Sequence, residues 1–157
     1  MAVDMFLKLE GVKGESGDSK HKGEIEIMSF SWGVSQSAAQ LGGGVGAGKV
    51  SSNDFSIVKG LDSATPQIME LICHGQPAGD AYVTLRKAGD KPLEYLKIKM
   101  TDVLISSYQT GGSSGAGVPV EQVSFSFSSL EMTATEQKED GSAGQQVTSS
   151  CSFGGKR

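Results

Sequence analysis

Three stretches of this 157-residue chain alternate apolar with polar residues, and each loses one step of the alternation partway along. In residues 24–34 the apolar positions are Ile25 and Ile27, then Phe30, Trp32 and Val34. In residues 94–106 Leu96, Ile98 and Met100 give way to Val103 and Ile105; in residues 120–132 Val123, Phe125 and Phe127 give way to Leu130 and Met132. Period-two alternation marks a strand with one buried face. A one-residue slip turns every later side chain to the wrong face unless an extra residue is bulged out, and bulges bend the strands that carry them. Three long strands that bend midway predict a sheet that curls and closes on itself. The expected fold is therefore mainly β, a small antiparallel β-barrel.

Shorter strands fit residues 5–9, 54–58, 81–87 and 145–153. One flanking α-helix is signalled by Thr65 as N-cap, Pro66 as first helical residue, an apolar stripe of Ile68, Met69, Leu71 and Ile72, and Gly75 as the stop. No repeat of fixed period and no break in composition interrupts the chain, so residues 1–157 are expected to form a single domain. The 22 glycines concentrate in loops at residues 38–49, 110–118 and 138–144. Loops so long and so poor in side chains usually serve a function, and contact with a neighbouring subunit is one.

Several function classes are disfavoured. The chain has 14 Lys and Arg against 18 Asp and Glu, and the lysines are scattered, so no basic footprint for nucleic acid forms. Its longest apolar runs fall far short of the roughly 20 residues of a membrane span, and no membrane insertion is expected. Asp4, Lys8 and Glu10 interrupt the first ten residues, so no signal peptide is expected. Two widely separated cysteines suit a reducing cytoplasm, with Cys73 packed on the helix and Cys151 half-buried.

The apparent chemical motifs lack their context. Residues 43–49 read GGVGAGK, but Val50 stands where a P-loop needs Ser or Thr, and a strand rather than a helix is expected next. Gly111, Ser113 and Gly115 satisfy GxSxG, yet Ser113 lies in a Gly/Ser tract with no helix after it. His21, in a polar turn, and His74, expected to cap the helix C-terminus, make no metal-ligand grouping with the two cysteines, so no cofactor or metal is expected. Glu94 with Glu121, and Asp62 with Glu70, read as solvated carboxylates.

Opposite the core phase of the long strands lie Ser29 and Ser31, then Tyr95, Lys97 and Lys99, then Ser124, Ser126 and Ser128. Such a polar face suits ordinary solvent, or a wet wall such as the inside of a ring.

The chain closely resembles Hcp, the haemolysin-coregulated proteins of type VI secretion systems. The resemblance rests on MAVDMFLKLEGVKGES at residues 1–16, SWGVSQS at 31–37, GGGVGAGKV at 42–50, the Thr65-Pro66 entry to the helix, LRKAG at 85–89, EYLKIKMTDVLISSYQTGG at 94–112 and VSFSF at 123–127. It runs to about Lys138; residues 145–153 lack the family's aromatic-rich ending, and the chain finishes in GGKR. The resemblance implies a barrel subunit of hexameric rings that stack into the inner tube of a contractile injection machine. It further implies effectors carried in the lumen, tube-tip spike and sheath proteins as partners, and assembly in the cytoplasm followed by release without a signal peptide. On that basis Ser29 and Ser31 lie on the segment expected to face the lumen. Gly42, Gly43, Gly44, Gly46, Gly48 and Lys49 lie on the loop expected to reach a neighbouring subunit or ring. The residues themselves leave open a secreted effector or toxin using Ser113 or Lys49, and a monomeric binding module.

Overall fold

The computed structural model describes residues 3–37, 40–41, 44–45, 49–89 and 91–153. Its elements are β1 (Val3–Leu9), β2 (Ile25–Glu26), β3 (Ser29–Ser31), β4 (Val34–Ser37), β5 (Gln40–Leu41), β6 (Gly44–Val45), β7 (Lys49–Ser52), β8 (Phe55–Gly60), α1 (Ala64–Cys73), β9 (Gly79–Lys87), β10 (Leu93–Gly111), β11 (Val120–Ser126), β12 (Ser129–Gln137) and β13 (Ala143–Ser152). All the strand pairings are antiparallel.

Each slip in the alternation is a place where the chain crosses between two half-sheets. The first half-sheet runs β2-β1-β9-β10-β12-β13, and the second runs β3-β8-β11-β10. After β2 pairs with β1, the Ile27 N–H bonds the Met5 carbonyl in the first half; one residue on, the Met28 N–H bonds the Val58 carbonyl in the second. The 19-residue β10 belongs to both: it pairs with β9 and β12 before the slip and with β11 after it. Its register shifts between Met100 and Val103, where Asp102 adopts a left-handed φ of 54°. The third slip is sharper than a bulge. Pairing stops after Ser126, and the chain resumes as β12 in the other half-sheet.

The sheet therefore curls as expected, but its hydrogen-bonded path does not close. Its end strands β2 and β3 are instead joined by the chain itself through Ile27 and Met28. Between the halves lies one core containing Leu7, Ile25, Phe55, Ile57, Val83, Ile98, Met100, Val123 and Phe125. Each such side chain contributes about 1.5–3 kcal/mol by leaving water.

Helix α1 adds Ala64 and Ile68 to that core, and Leu71 and Ile72 pack against its margin. Met69 is 52% exposed and Cys73 is exposed, contrary to the packed positions expected of both, because only a narrow stripe of this outer helix meets the sheet. The helix also starts earlier than its Thr65 signal. The Asp62 carboxylate accepts the Ala64 N–H at 3.0 Å, while Thr65 serves a buried network described below. At the far end the His74 ring bonds the Glu70 carbonyl and Gly75 takes φ 60°, as the stop signal requires. No described helix is long and apolar enough to cross a membrane.

Candidate assembly surfaces

The residues opposite the core do not make one surface. On the second half-sheet the cross-strand register places Ser31 beside Ser56, Ser56 beside Ser124, and Ser124 beside Ser107. Directly paired residues share a face, so one serine from each of four neighbouring strands forms a continuous row. The Ser56 and Ser124 hydroxyls bond each other at 2.9 Å. Beside this row stand Ser29 opposite Val58, Val58 opposite Gln122, and Ser126 opposite Leu104. Ser29 and Ser31 are both exposed. Among these residues none is charged and none is aromatic. Ser128 leaves the row: at the corner its hydroxyl donates to the Thr101 carbonyl at 3.2 Å and to Asp102 at 3.1 Å.

The first half-sheet presents a different outer face. Lys8 pairs with Tyr82 and Tyr82 with Lys99, which pairs in turn with Glu131; Thr84 pairs with Lys97 and Asp4 with Arg86. Tyr95, expected here, sits instead at a register shift and packs partly against the core. Residues 10–24 fold over one part of this face. His21 is buried rather than in an open turn. Its ring stacks on Phe6 at 4.4 Å, and its two nitrogens meet the carboxylates of Glu24 at 3.0 Å and Glu94 at 2.8 Å. Arg86 lies over Phe6 at 5.0 Å and ties Asp18 at 2.7 Å and Asp4 at 3.0 Å. The Arg86 hydrogen bond is the largest of the influences that bring the Asp18 carboxyl down to about 2. Burial pushes the Glu94 carboxyl up, but its bonds to His21 and Lys97 outweigh this and hold it below the usual range.

Behind the serine row lies a buried charged network, which corrects the reading of Glu121 as a solvated carboxylate. Lys59 and Glu121 are directly paired across β8 and β11, and both side chains are fully buried. The Lys59 ammonium lies 2.7 Å from Glu121 and 2.8 Å from Asp62. Thr65 donates to Glu121 at 2.6 Å, and the Tyr108 hydroxyl donates to the other carboxylate oxygen. Burial pushes the Glu121 carboxyl up, yet the bonds from Lys59, Thr65 and Tyr108 hold it below the usual glutamate range. The network joins β8, β10, β11 and the helix entrance, and its satisfied hydrogen bonds are what make a buried charge pair tolerable. A signal for it stood in the sequence: Phe55, Ile57, Lys59 and Glu121, Val123, Phe125 each put a charge of opposite sign in core phase.

The glycine loop contains a hairpin that alternation did not announce. β4 pairs with β7 from Val34 opposite Ser52 to Ser37 opposite Lys49, and β5 pairs with β6 beyond it. Every residue of β4 is exposed, so neither face carries an apolar repeat. Its base is fixed by the Trp32 indole N–H on the Ser52 hydroxyl at 2.9 Å and the Asn53 N–H on the Gly33 carbonyl at 2.9 Å. Lys49 opens a strand and Gly44 lies in β6; Gly42, Gly43, Gly46 and Gly48 lie outside the described residues. Ser113 sits in the loop joining β10 to β11, so a strand follows it where a nucleophile elbow needs a helix. His21 is engaged by Glu24 and Glu94, and His74 by Glu70. No group of three or more metal-binding side chains is gathered among the described residues.

A family model described as the type VI secretion system effector Hcp matches residues 6–133. Over 143 residues the chain is 44% identical to protein Hcp1 of Pseudomonas aeruginosa, spanning 90% of this chain and 88% of that one. A solved structure described as a type six secretion system protein aligns with a TM-score of 0.89 at 30% identity, covering 97% of this chain and 96% of that chain. Hcp1 from Salmonella typhimurium aligns with a TM-score of 0.79 at 32% identity, covering 98% and 96%.

Proposed function

This chain belongs to the Hcp family of type VI secretion proteins, and we propose that it is the tube subunit of such a system, acting by assembly. Six copies close into a ring, rings stack into an inner tube, and the tube carries effector proteins in its lumen. The tube is built in the cytoplasm against its spike and sheath partners and is then expelled with its cargo.

The observation that carries this proposal is the row of Ser31, Ser56, Ser124 and Ser107 across four strands. Hydroxyls both donate and accept hydrogen bonds and remain hydrated. A wall of them neither grips apolar cargo nor selects cargo by the sign of its charge, whereas exposed apolar patches would stick. Placed inside the ring, this face gives a passage that holds proteins weakly; the charged face is then left for the outside. The β4–β7 hairpin, whose described residues bury no face of their own, reaches neighbouring subunits.

Native mass spectrometry of the purified protein at micromolar concentration tests the assembly. The expected species is a closed hexamer, and a spectrum of monomers alone would overturn the proposal.

A further inference from the structure

The last strand is held lightly along its length and more firmly at its end. β13 pairs with β12 alone among the described strands, and eight of its ten residues are exposed. Phe153, directly after it, continues the phase of Cys151, which pairs with the buried Leu130, and so turns toward the core. Its N–H bonds the Ser128 carbonyl at 2.9 Å, and its ring meets Phe127 edge-on at 5.8 Å and Trp32 edge-on at 6.4 Å. Trp32 also leans on Phe127 at 6.4 Å, which closes a triangle of three rings. Phe127 is buried, whereas Trp32 and Phe153 are half-buried. Rings in such tilted and edge-on arrangements attract beyond the area they bury.

Trp32 is also the footing of the β4–β7 hairpin. Val34, Ser35, Gln36, Ser37, Val50 and Ser51 are exposed, and Ser52 alone among the described hairpin side chains is half-buried. Ser52 is the residue whose hydroxyl accepts the Trp32 indole N–H, and it donates onward to the Asn53 carbonyl at 2.9 Å. A hairpin that buries no face of its own takes its direction from that indole. The indole in turn rests on Phe127, fixed in the core, and on Phe153, carried by β13. Beside the rings lies a cavity of about 220 Å³, with Val50, Ser52 and Asn53 on the hairpin side and Phe127 and Phe153 on the other. The rings therefore have room to shift when one of them is lost.

We infer that Phe153 is a positioning residue for the hairpin: β13 works as a strap whose aromatic end props Trp32 and so fixes the direction in which β4 and β7 leave the sheet. The device is internal to one chain and holds whatever the hairpin goes on to touch.

Trp32 is the chain's one tryptophan, so its fluorescence reports the triangle directly. The test compares wild type, Phe153→Ala, Phe153→Leu and, as a control on the same strand, Val147→Ala. All are full chains, at concentrations where native mass spectrometry shows one shared oligomeric state. Phe153→Ala should shift Trp32 emission to the red and increase its quenching by acrylamide. It should also speed hydrogen exchange of the β4 and β7 amides about tenfold, the scale of a lost aromatic pair, with β8 and β11 unchanged. Phe153→Leu, which refills part of the space, should fall between Phe153→Ala and wild type. Val147 is 62% exposed, and Val147→Ala should match wild type. Unchanged exchange of β4 and β7 in Phe153→Ala would overturn the inference. So would an equal loss of protection in β8 and β11, or failure of both Phe153 variants to fold, since Phe153 would then serve the core and not the hairpin.

Discussion

The two half-sheets share one core and one set of strands, yet their outer faces differ in almost every chemical respect. On the second, four serines stand in a row with Val58, Gln122 and Leu104 as neighbours. On the first, Lys8, Tyr82, Lys97, Lys99 and Glu131 stand in register, and residues 10–24 are pinned across another part by His21 and Asp18. Charge on the second half-sheet has not disappeared but moved to the core side, where Lys59 and Glu121 are buried together. A sheet that had only to fold could carry solvated charges on either face. That one face is cleared of them, and its ion pair turned inward, is what distinguishes the face proposed for passage from the one left for solvent or partners.

The largest effect should come from breaking that inward pair. Lys59→Ala leaves Glu121 buried and uncompensated, and should cost about 3–5 kcal/mol in urea unfolding. The paired replacement Lys59→Met with Glu121→Leu should cost far less, since removing both charges removes the desolvation penalty with them. Equal losses in the single and double variants would mean that packing rather than charge sets the site.

Acid should act next, and it should reach the first half-sheet's cover early. The Asp18 carboxyl titrates at about 2 when folded, held down chiefly by Arg86, and Glu94 is also held low despite its burial. Carboxyls whose folded values lie below their unfolded ones stabilise at pH above the unfolded value, about 4, and that stabilisation is lost as pH falls toward 2. Hydrogen exchange across this window should show amides of residues 12–24 opening before those of β8 and β11. Asp18→Asn should remove part of the loop's acid response. Simultaneous opening of the loop and β8 would show that the two regions are not separable.

The smallest stability effects should be on the outer faces themselves. Ser31→Lys and Lys97→Ser should each change stability by no more than about 0.5 kcal/mol, as exposed substitutions do. Their functional effects should differ: Ser31→Lys should reduce co-purification of a cognate effector with intact rings, and Lys97→Ser should leave it unchanged. The same loss from both variants would erase the distinction between the faces.

Much of this architecture was legible because the core repeats with period two. The slips after Ile27, Met100 and Phe127 were visible as lost steps, and all three prove to be crossings between half-sheets. What failed to show was whatever lacks a buried repeat. β4 has all four residues exposed, so its pairing with β7 leaves no trace in hydropathy. Glu121 and His21 were misplaced for the opposite reason: polar residues were assigned to solvent, although partners distant in sequence, Lys59 and Glu94, make their burial tolerable. Thr65 kept its place at the helix entrance but gave its hydroxyl to Glu121 instead of to the helix. The serine row needed register across four strands, which no single segment contains.

The central claim is that the uncharged face lines the ring. Electron cryomicroscopy of the assembled protein at side-chain resolution decides it: Ser31, Ser56, Ser107 and Ser124 of all six copies should face the central channel, with Lys97 and Lys99 on the outside. A ring whose channel is lined by Lys97 and Lys99, with the serine row turned outward, would contradict it.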